Sequence, residues 1–314
     1  MLILIAQRLG LGFLTLVAAS VLIFVGTELL PGDLASAILQ NSATPENVAA
    51  LRLELGLDRP ALLRFGEWLS GAAHLDFGHS LANGRDVIGL IAPRLANTLF
   101  LAVYAALVAV PAAIVIGLVA AITQGSVFDR IVNVISLLAI SIPDYLVGYL
   151  LIIYVALPFG LSSIANVTDD MPFPARLALV FLPMMTLMST VLAHMMRMTR
   201  ASVLSVMASP YIEMAVLKGL PKWRIVVQHA FPNALAPIIS VVALNLAYLV
   251  VGVVVVEYVF VYPGLGQLMV DAVLTHDVPV VQACGMIFAT AFILLNMSAD
   301  ILAILSNPRL RYPR

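Results

Sequence analysis

Six long apolar stretches dictate what this chain can become: residues 9–30, 98–122, 131–159, 177–196, 235–256 and 280–299, each with at most one charged side chain. An α-helix rises about 1.5 Å per residue, so roughly 20 apolar residues cross the ~30 Å hydrocarbon core of a bilayer. Each stretch is long enough. With 62% hydrophobic and 11% charged residues, the chain lies outside the usual range of soluble domains, which run about 45–50% apolar and 25% charged. The expected fold class is therefore all-α: a polytopic membrane protein with six transmembrane helices. A net charge of −1 gives no basis for a nucleic-acid partner, and a single cysteine, Cys284, excludes a disulfide scaffold. The uncharged run after Arg8 exceeds the roughly 7–15 residues of a signal-peptide core, so it reads as an uncleaved first span. Pro143 interrupts the long third stretch and predicts a kink there.

Orientation follows from lysine and arginine in short loops. One set of loops holds Arg8, Arg130, Arg197, Arg200, Lys218, Lys222, Arg224 and the C-terminal arginines, against Asp129 and Glu213 alone. The other set carries most of the acids. Both termini are expected in the cytoplasm. The chain then divides into 1–30 (N-terminus and first span), 31–97 (an outer helical loop), 98–305 (the transmembrane core, with a cytoplasmic loop at 197–232) and 306–314 (a cytoplasmic tail).

Two hydrophilic segments carry local signals. In the outer one, Thr44-Pro45 reads as an N-cap with proline at the first helical position, and Gly56 as the stop. A second amphipathic stretch begins near Pro60. It suits a lid on the membrane surface or a platform for an external partner. In the inner segment, Ser209-Pro210 opens a short helix that Gly219 closes, and Pro221 opens another that ends near Pro232. Ile212, Ala215, Val216 and Gly219 recur at i, i+3, i+4, i+7 and share one face. Flanked by basic residues, that face is a candidate for a partner's groove or for the anionic membrane surface.

Here the sequence resembles the permease subunits of bacterial ATP-binding-cassette (ABC) importers, and specifically the first-permease (B-type) subunit of the oligopeptide/dipeptide/nickel family. The family's loop motif reads EAA, three residues, Gly, nine residues, then I-x-L-P. Glu213-Met214-Ala215, Gly219 and Pro232 fall on it, with departures at Met214, His229 and Phe231. Further pieces occur in the family's order: LLPGD at 29–33, LGLDRP at 55–60, SIPDYLVG at 141–148, RMTRASVLSVM at 197–207, VEYVFVYPGLGQLMVDAV at 256–273 and NPRLRY at 307–312. The resemblance implies a type I importer permease fold in the bacterial inner membrane, paired with a second, related permease. It also implies two cytoplasmic ATPase subunits, which use ATP and Mg, and an extracytoplasmic binding protein. The 213–232 region would be the coupling helix seated in an ATPase cleft. The chain has no G-x-x-x-x-G-K-[ST] phosphate loop, so it is not expected to be an enzyme, and no cofactor or metal is expected in it. Peptides are the expected cargo, with nickel or another small solute as the alternative.

Ionisable residues inside a membrane are functional candidates. Glu28, Glu257 and Asp300 sit near the ends of their stretches, where pairing or capping is the simpler role. Asp144 lies further in, directly after Pro143, and either faces the translocation path or satisfies an interhelix hydrogen bond. Pro263, Gly264 and Gly266 follow the fifth stretch: a plain turn in which the glycines allow chain reversal, or an outer gate that re-enters the membrane. A secondary transporter would need a chain of midplane ionisable groups, and only Asp144 qualifies. An intramembrane enzyme would need a nucleophile–base or metal constellation, which the scattered histidines and Cys284 do not supply.

Overall fold

The fold is that of a computed structural model, which describes residues 2–29, 36, 39, 44–54, 56–168 and 170–306, with side chains for all of these except 2–5, 54 and 302–306. The LLPGD and NPRLRY pieces fall largely or wholly outside the described residues. The helices are α1 (Leu2–Glu28), α2 (Pro45–Glu54), α3 (Ala61–Ala73), α4 (Val87–Ile122), α5 (Val127–Ser141), α6 (Asp144–Phe159), α7 (Phe173–Leu179), α8 (Phe181–Met207), α9 (Pro210–Leu217), α10 (Lys222–Val259), α11 (Leu265–Leu274) and α12 (Val278–Ser306).

Four helices, α1, α4, α10 and α12, are individually long and apolar enough to span a membrane. Two bent pairs, α5 with α6 at 107° and α7 with α8 at 56°, bring the candidate spans among the described residues to six when each pair is counted as one. The first bend sits at Pro143, as the sequence predicts. Ile142 and Pro143 are extended (ψ 126° and 141°), because the residue before a proline is pushed out of the helical region. The size of the bend is what the sequence missed. At 107° the two legs cannot be one straight rod, so counting rise along 131–159 does not give the depth of Asp144.

Helix α8 is central. Its most extensive contact is with α4, and it also packs α10, α5 and α6; α12 joins α10 to the peripheral α1. The α4–α8 contact is close because α4 presents small residues every fourth position: Ala105, Ala109, Ala113, Gly117 and Ala121, all buried. A Cβ on Gly117 would lie 2.8 Å from the Met196 carbonyl. Small residues at such an interface let two backbones approach without lipid between them, and the gain is in van der Waals contact.

Three of the acids flagged above pair or cap. Arg64 binds Glu28 through both guanidinium nitrogens (2.7 and 2.8 Å), tying α3 to the end of α1, where Phe24 meets Phe65 edge-on at 5.3 Å. Arg8 binds Asp300 at 2.6 Å. Glu257 caps a helix, as described below. At the other end of the bundle, Arg200 of α8 holds Asp129 of α5 at 2.7 and 2.9 Å, and the Gly125 amide also donates to it at 2.9 Å.

Two segments widen into π-helix: Ile152–Ala156 within α6 and Ile225–Ala230 within α10. Each ends two residues before a proline, Pro158 and Pro232. A proline ring clashes with the carbonyl four residues back. Those carbonyls belong to Tyr154 and Gln228, both inside the widened turns, so widening accommodates the ring without ending the helix. The expectation that a helix stops near Pro232 is therefore corrected: α10 runs through it into the membrane.

Candidate functional site

The helix α10 strings together three regions: a loop at its start, a cavity at its middle and a cap at its end. At about 1.5 Å per residue, Ala230 to Asn245 is roughly 22 Å and Asn245 to Glu257 roughly 18 Å.

The loop region is 209–231. Ser209 is extended (ψ 148°) and precedes Pro210 at the start of α9, as the sequence predicts. Its hydroxyl does not cap that helix; it donates back to the Val206 carbonyl at 2.5 Å. Gly219 adopts φ +75°, with its amide on the Val216 carbonyl at 2.9 Å, so glycine is there for the left-handed stop. The four residues assigned to a single docking face divide. Ile212 is 1% exposed and packs with Val203, Ile225, Val226 and Ala230; Ala215 and Leu220 lean on the same cluster. Val216 faces out, together with Tyr211, Met214 and Leu217, the last 73% exposed, and Trp223 of the adjoining turn. Glu213 and Gly219 are also exposed. The i, i+3 face is the one that roots the helix, because the bundle offers it an apolar cluster. The exposed surface is the opposite side, bordered by Lys218, Lys222 and Arg224. The Tyr211 hydroxyl reaches the His229 carbonyl at 3.4 Å, which also accepts from Asn233 at 2.8 Å, so the short helix and the π-turn are joined.

The cavity, about 540 Å³, is bounded by α6, α8 and α10. Its polar lining is Asp144, Thr190, His194, Asn245 and Tyr248; Leu187, Val241 and Leu244 are among its apolar walls. Pro143 ends the kink and sets Asp144 at the first position of α6, so the carboxylate stands at a helix N-terminus, the favourable end for an anion. Thr190 donates to its Oδ1 at 2.7 Å. Gly252 lies opposite: a Cβ there would come 3.8 Å from Oδ2. Asp144 thus makes an interhelix hydrogen bond to Thr190 and stands on the wall of this cavity.

The cap region joins residues 159 positions apart in sequence. Glu257, 0% exposed, accepts from Thr98 Oγ1 at 2.6 Å, from the Gly266 amide at 2.7 Å and from the Gln267 amide at 3.2 Å. Thr98 in turn accepts from the Leu265 amide at 2.8 Å. These are the orphan amides of the first turn of α11, and a carboxylate satisfies them with charge-assisted bonds. Asn97 adds a bond from Nδ2 to the Pro263 carbonyl, its own carbonyl accepts from Tyr262, and Arg176, stacked 4.0 Å from the Phe100 ring centroid, donates to its Oδ1. The glycines serve a different purpose from the one their sequence suggests. Gly264 has φ −105° and is extended; the left-handed residue of the turn is Val261 (φ 50°). A Cβ on Gly264 would overlap the Glu257 carboxylate, and one on Gly266 would press on Val254 and Glu257. The glycines make room for the buried acid. Glu257 is the residue that sequence reasoning undervalued; its only local signal was an acid at the end of an apolar run.

Residues 113–312 match the family described as binding-protein-dependent transport system inner membrane component, and residues 1–102 match the N-terminal region of such membrane components. The chain belongs to this family. It is a multi-pass inner-membrane component of a transport system, and the family is one of transport components rather than catalytic subunits. Relatives match over nearly the full length. A Brucella abortus (strain 2308) protein named as a peptide transport system permease is 35% identical over 98% of this chain and 99% of its own. A peptide ABC transporter permease so named from Sinorhizobium fredii (strain NBRC 101917 / NGR234) is 33% identical over 98% and 99%. The dipeptide transport system permease protein DppB of Escherichia coli (strain K12) is 32% identical over 99% of both chains.

Proposed function

We propose that this inner-membrane component is a permease subunit of an ABC importer that carries di- or oligopeptides. The observation that carries the cargo class is that relatives named for peptide or dipeptide transport align with 98–99% of the chain. Helices α4, α6, α8 and α10 form half of the passage, and a second, homologous permease supplies the rest. That partner covers the exposed apolar side of α10 around Val255 and Tyr258. One of two ATPase subunits docks on the 209–231 loop, with Ile212 and Ala215 rooting α9 and Met214, Val216, Leu217 and Trp223 meeting the ATPase; the other docks on the partner permease. Gly219, at φ +75°, sets the turn of that knob, and Glu213 and Pro232 belong to the same coupling segment. A binding protein delivers cargo at the opposite end, over the 31–97 segment. Both termini are cytoplasmic in this reading, and ATP and Mg are used by the ATPases alone.

The mechanism follows from rigidity. The α9 knob is packed to α10 through Ile212 and the Tyr211–His229 bond, so a push from closing ATPases passes into α10 as a rigid body. The same helix carries one wall of the cavity and ends at Glu257, which holds α11 through the Gly264 and Gly266 approach. Movement at one end is thereby felt at an outer gate formed by Pro263, Gly264, Gly266 and α11. The test is uptake of a labelled dipeptide by cells lacking this chain. Uptake is lost and returns with the chain; intact dipeptide uptake with lost nickel uptake would overturn the cargo assignment.

A further inference from the structure

Four acids lie in or beside the spans with strong partners: Glu28 with Arg64, Asp129 with Arg200, Asp300 with Arg8, and Glu257 with Thr98 and two amides. Asp144 is the exception. Its hydrogen-bond partner is the Thr190 hydroxyl, and it takes part in no ion pair among the described residues. A carboxylate is expensive to keep in a membrane without a cation, and this one opens on a cavity of about 540 Å³.

The lining says what kind of cation fits. Asn245 Nδ2 spends one of its two hydrogens on the Val241 carbonyl at 2.8 Å, and its side-chain carbonyl remains an acceptor in a residue that lines the cavity. The Thr190 hydrogen is directed to Asp144, so its oxygen offers lone pairs. Asp144 Oδ2 adds a further acceptor, and Tyr248, whose hydroxyl can both donate and accept, lines the same cavity. An acceptor-rich pocket with one negative charge is complementary to an ammonium group, which has three donors and no acceptor. His194 lies one turn along α8 from Thr190 and lines the same space, and it is the other titratable imidazole or acid there. Among the described residues no three His, Cys, Asp or Glu side chains come together as a metal site, so the pocket is not built as a chelating cage. The apolar walls, Leu187, Val191, Val241 and Leu244, have no directional demand and tolerate varied side chains.

We infer that Asp144, with Thr190 and Asn245, is a way-station for the α-ammonium group of a passing peptide. This rests on the peptide reading above and adds a determinant to it: the permease itself, and not only the binding protein, selects cargo with a free amino terminus. The site holds the charge while the apolar walls accept whatever side chains follow.

The test uses the whole transporter in proteoliposomes, with binding protein loaded to equal occupancy with either a free dipeptide or its N-acetylated form. Wild type moves the free peptide faster. In Asp144→Asn the ratio of free to acetylated uptake falls about tenfold, the scale of one hydrogen bond to a charged group, while Asp144→Glu retains most of it. Thr190→Val, which keeps the shape and removes the hydroxyl, lowers the ratio by a smaller factor, and it serves where Asp144→Asn does not assemble. An unchanged ratio in these variants overturns the inference, as does equal slowing of both peptides, which would assign Asp144 to a contact with the second permease. If wild type moves neither peptide but moves nickel, the peptide reading itself fails, which is a distinguishable result.

Discussion

Replacing Gly264 by alanine isolates the buried cap. The residue has φ −105°, so alanine introduces no backbone strain. Its added Cβ meets the Glu257 carboxylate and nothing that can swing aside into solvent, because Glu257 is 0% exposed. Displacing the carboxylate weakens its bonds to the Gly266 and Gln267 amides. Hydrogen bonds to a charged group contribute about 1.5–3 kcal/mol each, so losing two costs roughly 3–6 kcal/mol, and partial tilting of α11 places the expected loss near the lower end. The matched control is Gly252→Ala, on α10 with Glu257, where the nearest atoms lie at 3.6 and 3.8 Å, ordinary contact distance. The assay is thermal unfolding of the purified protein in detergent, followed by the fluorescence of Trp68 and Trp223. Gly264→Ala lowers the midpoint by roughly 5–10 °C, whereas Gly252→Ala leaves it in place or raises it slightly through the better helix propensity of alanine. Equal midpoints for the two variants would refute the argument that Gly264 exists to admit Glu257.

Other substitutions probe the remaining regions. Leu217→Asp leaves the thermal midpoint near wild type and abolishes co-purification of the ATPases, while Ile212→Asp, at 1% exposure, buries an unpaired charge and lowers the yield of folded protein; the reverse pattern would return the docking face to Ile212. Gly219→Val forces a β-branched residue to φ +75°, a cost of about 1–2 kcal/mol, and reduces binding-protein-stimulated ATP hydrolysis without preventing membrane insertion, measurable in proteoliposomes. Arg200→Ala leaves Asp129 buried without its guanidinium and destabilises the α5–α8 junction by about 3 kcal/mol, read as a lower unfolding midpoint that Asp129→Asn in the same chain partly restores.

What could be read from the residues depended on whether a feature was local. The spans, the Thr44 start of α2, the Gly219 stop and the Pro143 break are local, set by hydrophobic run length, capping and proline sterics. The Thr44 hydroxyl does cap, accepting from the Asn47 amide at 3.3 Å. The 107° of the bend is not local: it depends on what α5 and α6 pack against. Pro232 misled because proline ends a helix only when the turn before it stays tight, and the π-turn relieves it. The i, i+3, i+4, i+7 pattern of α9 correctly found an apolar face but not its destination, since the sequence does not show that Val203 and Val226 wait beneath Ile212. The glycines at 264 and 266 were legible as special but for the wrong reason. Their purpose lies in Glu257, whose other partner, Thr98, is 159 residues away. Asp144 was visible as an acid in an apolar run, whereas the acceptor-rich wall around it comes from α8 and α10.

The most direct test of the account is accumulation of a labelled dipeptide in vesicles containing this chain, its partner permease and the ATPases, with binding protein at one face and ATP at the other. The account predicts accumulation that requires all of these together and that Leu217→Asp removes. Accumulation by this chain alone, driven by an ion gradient without ATP, would contradict it.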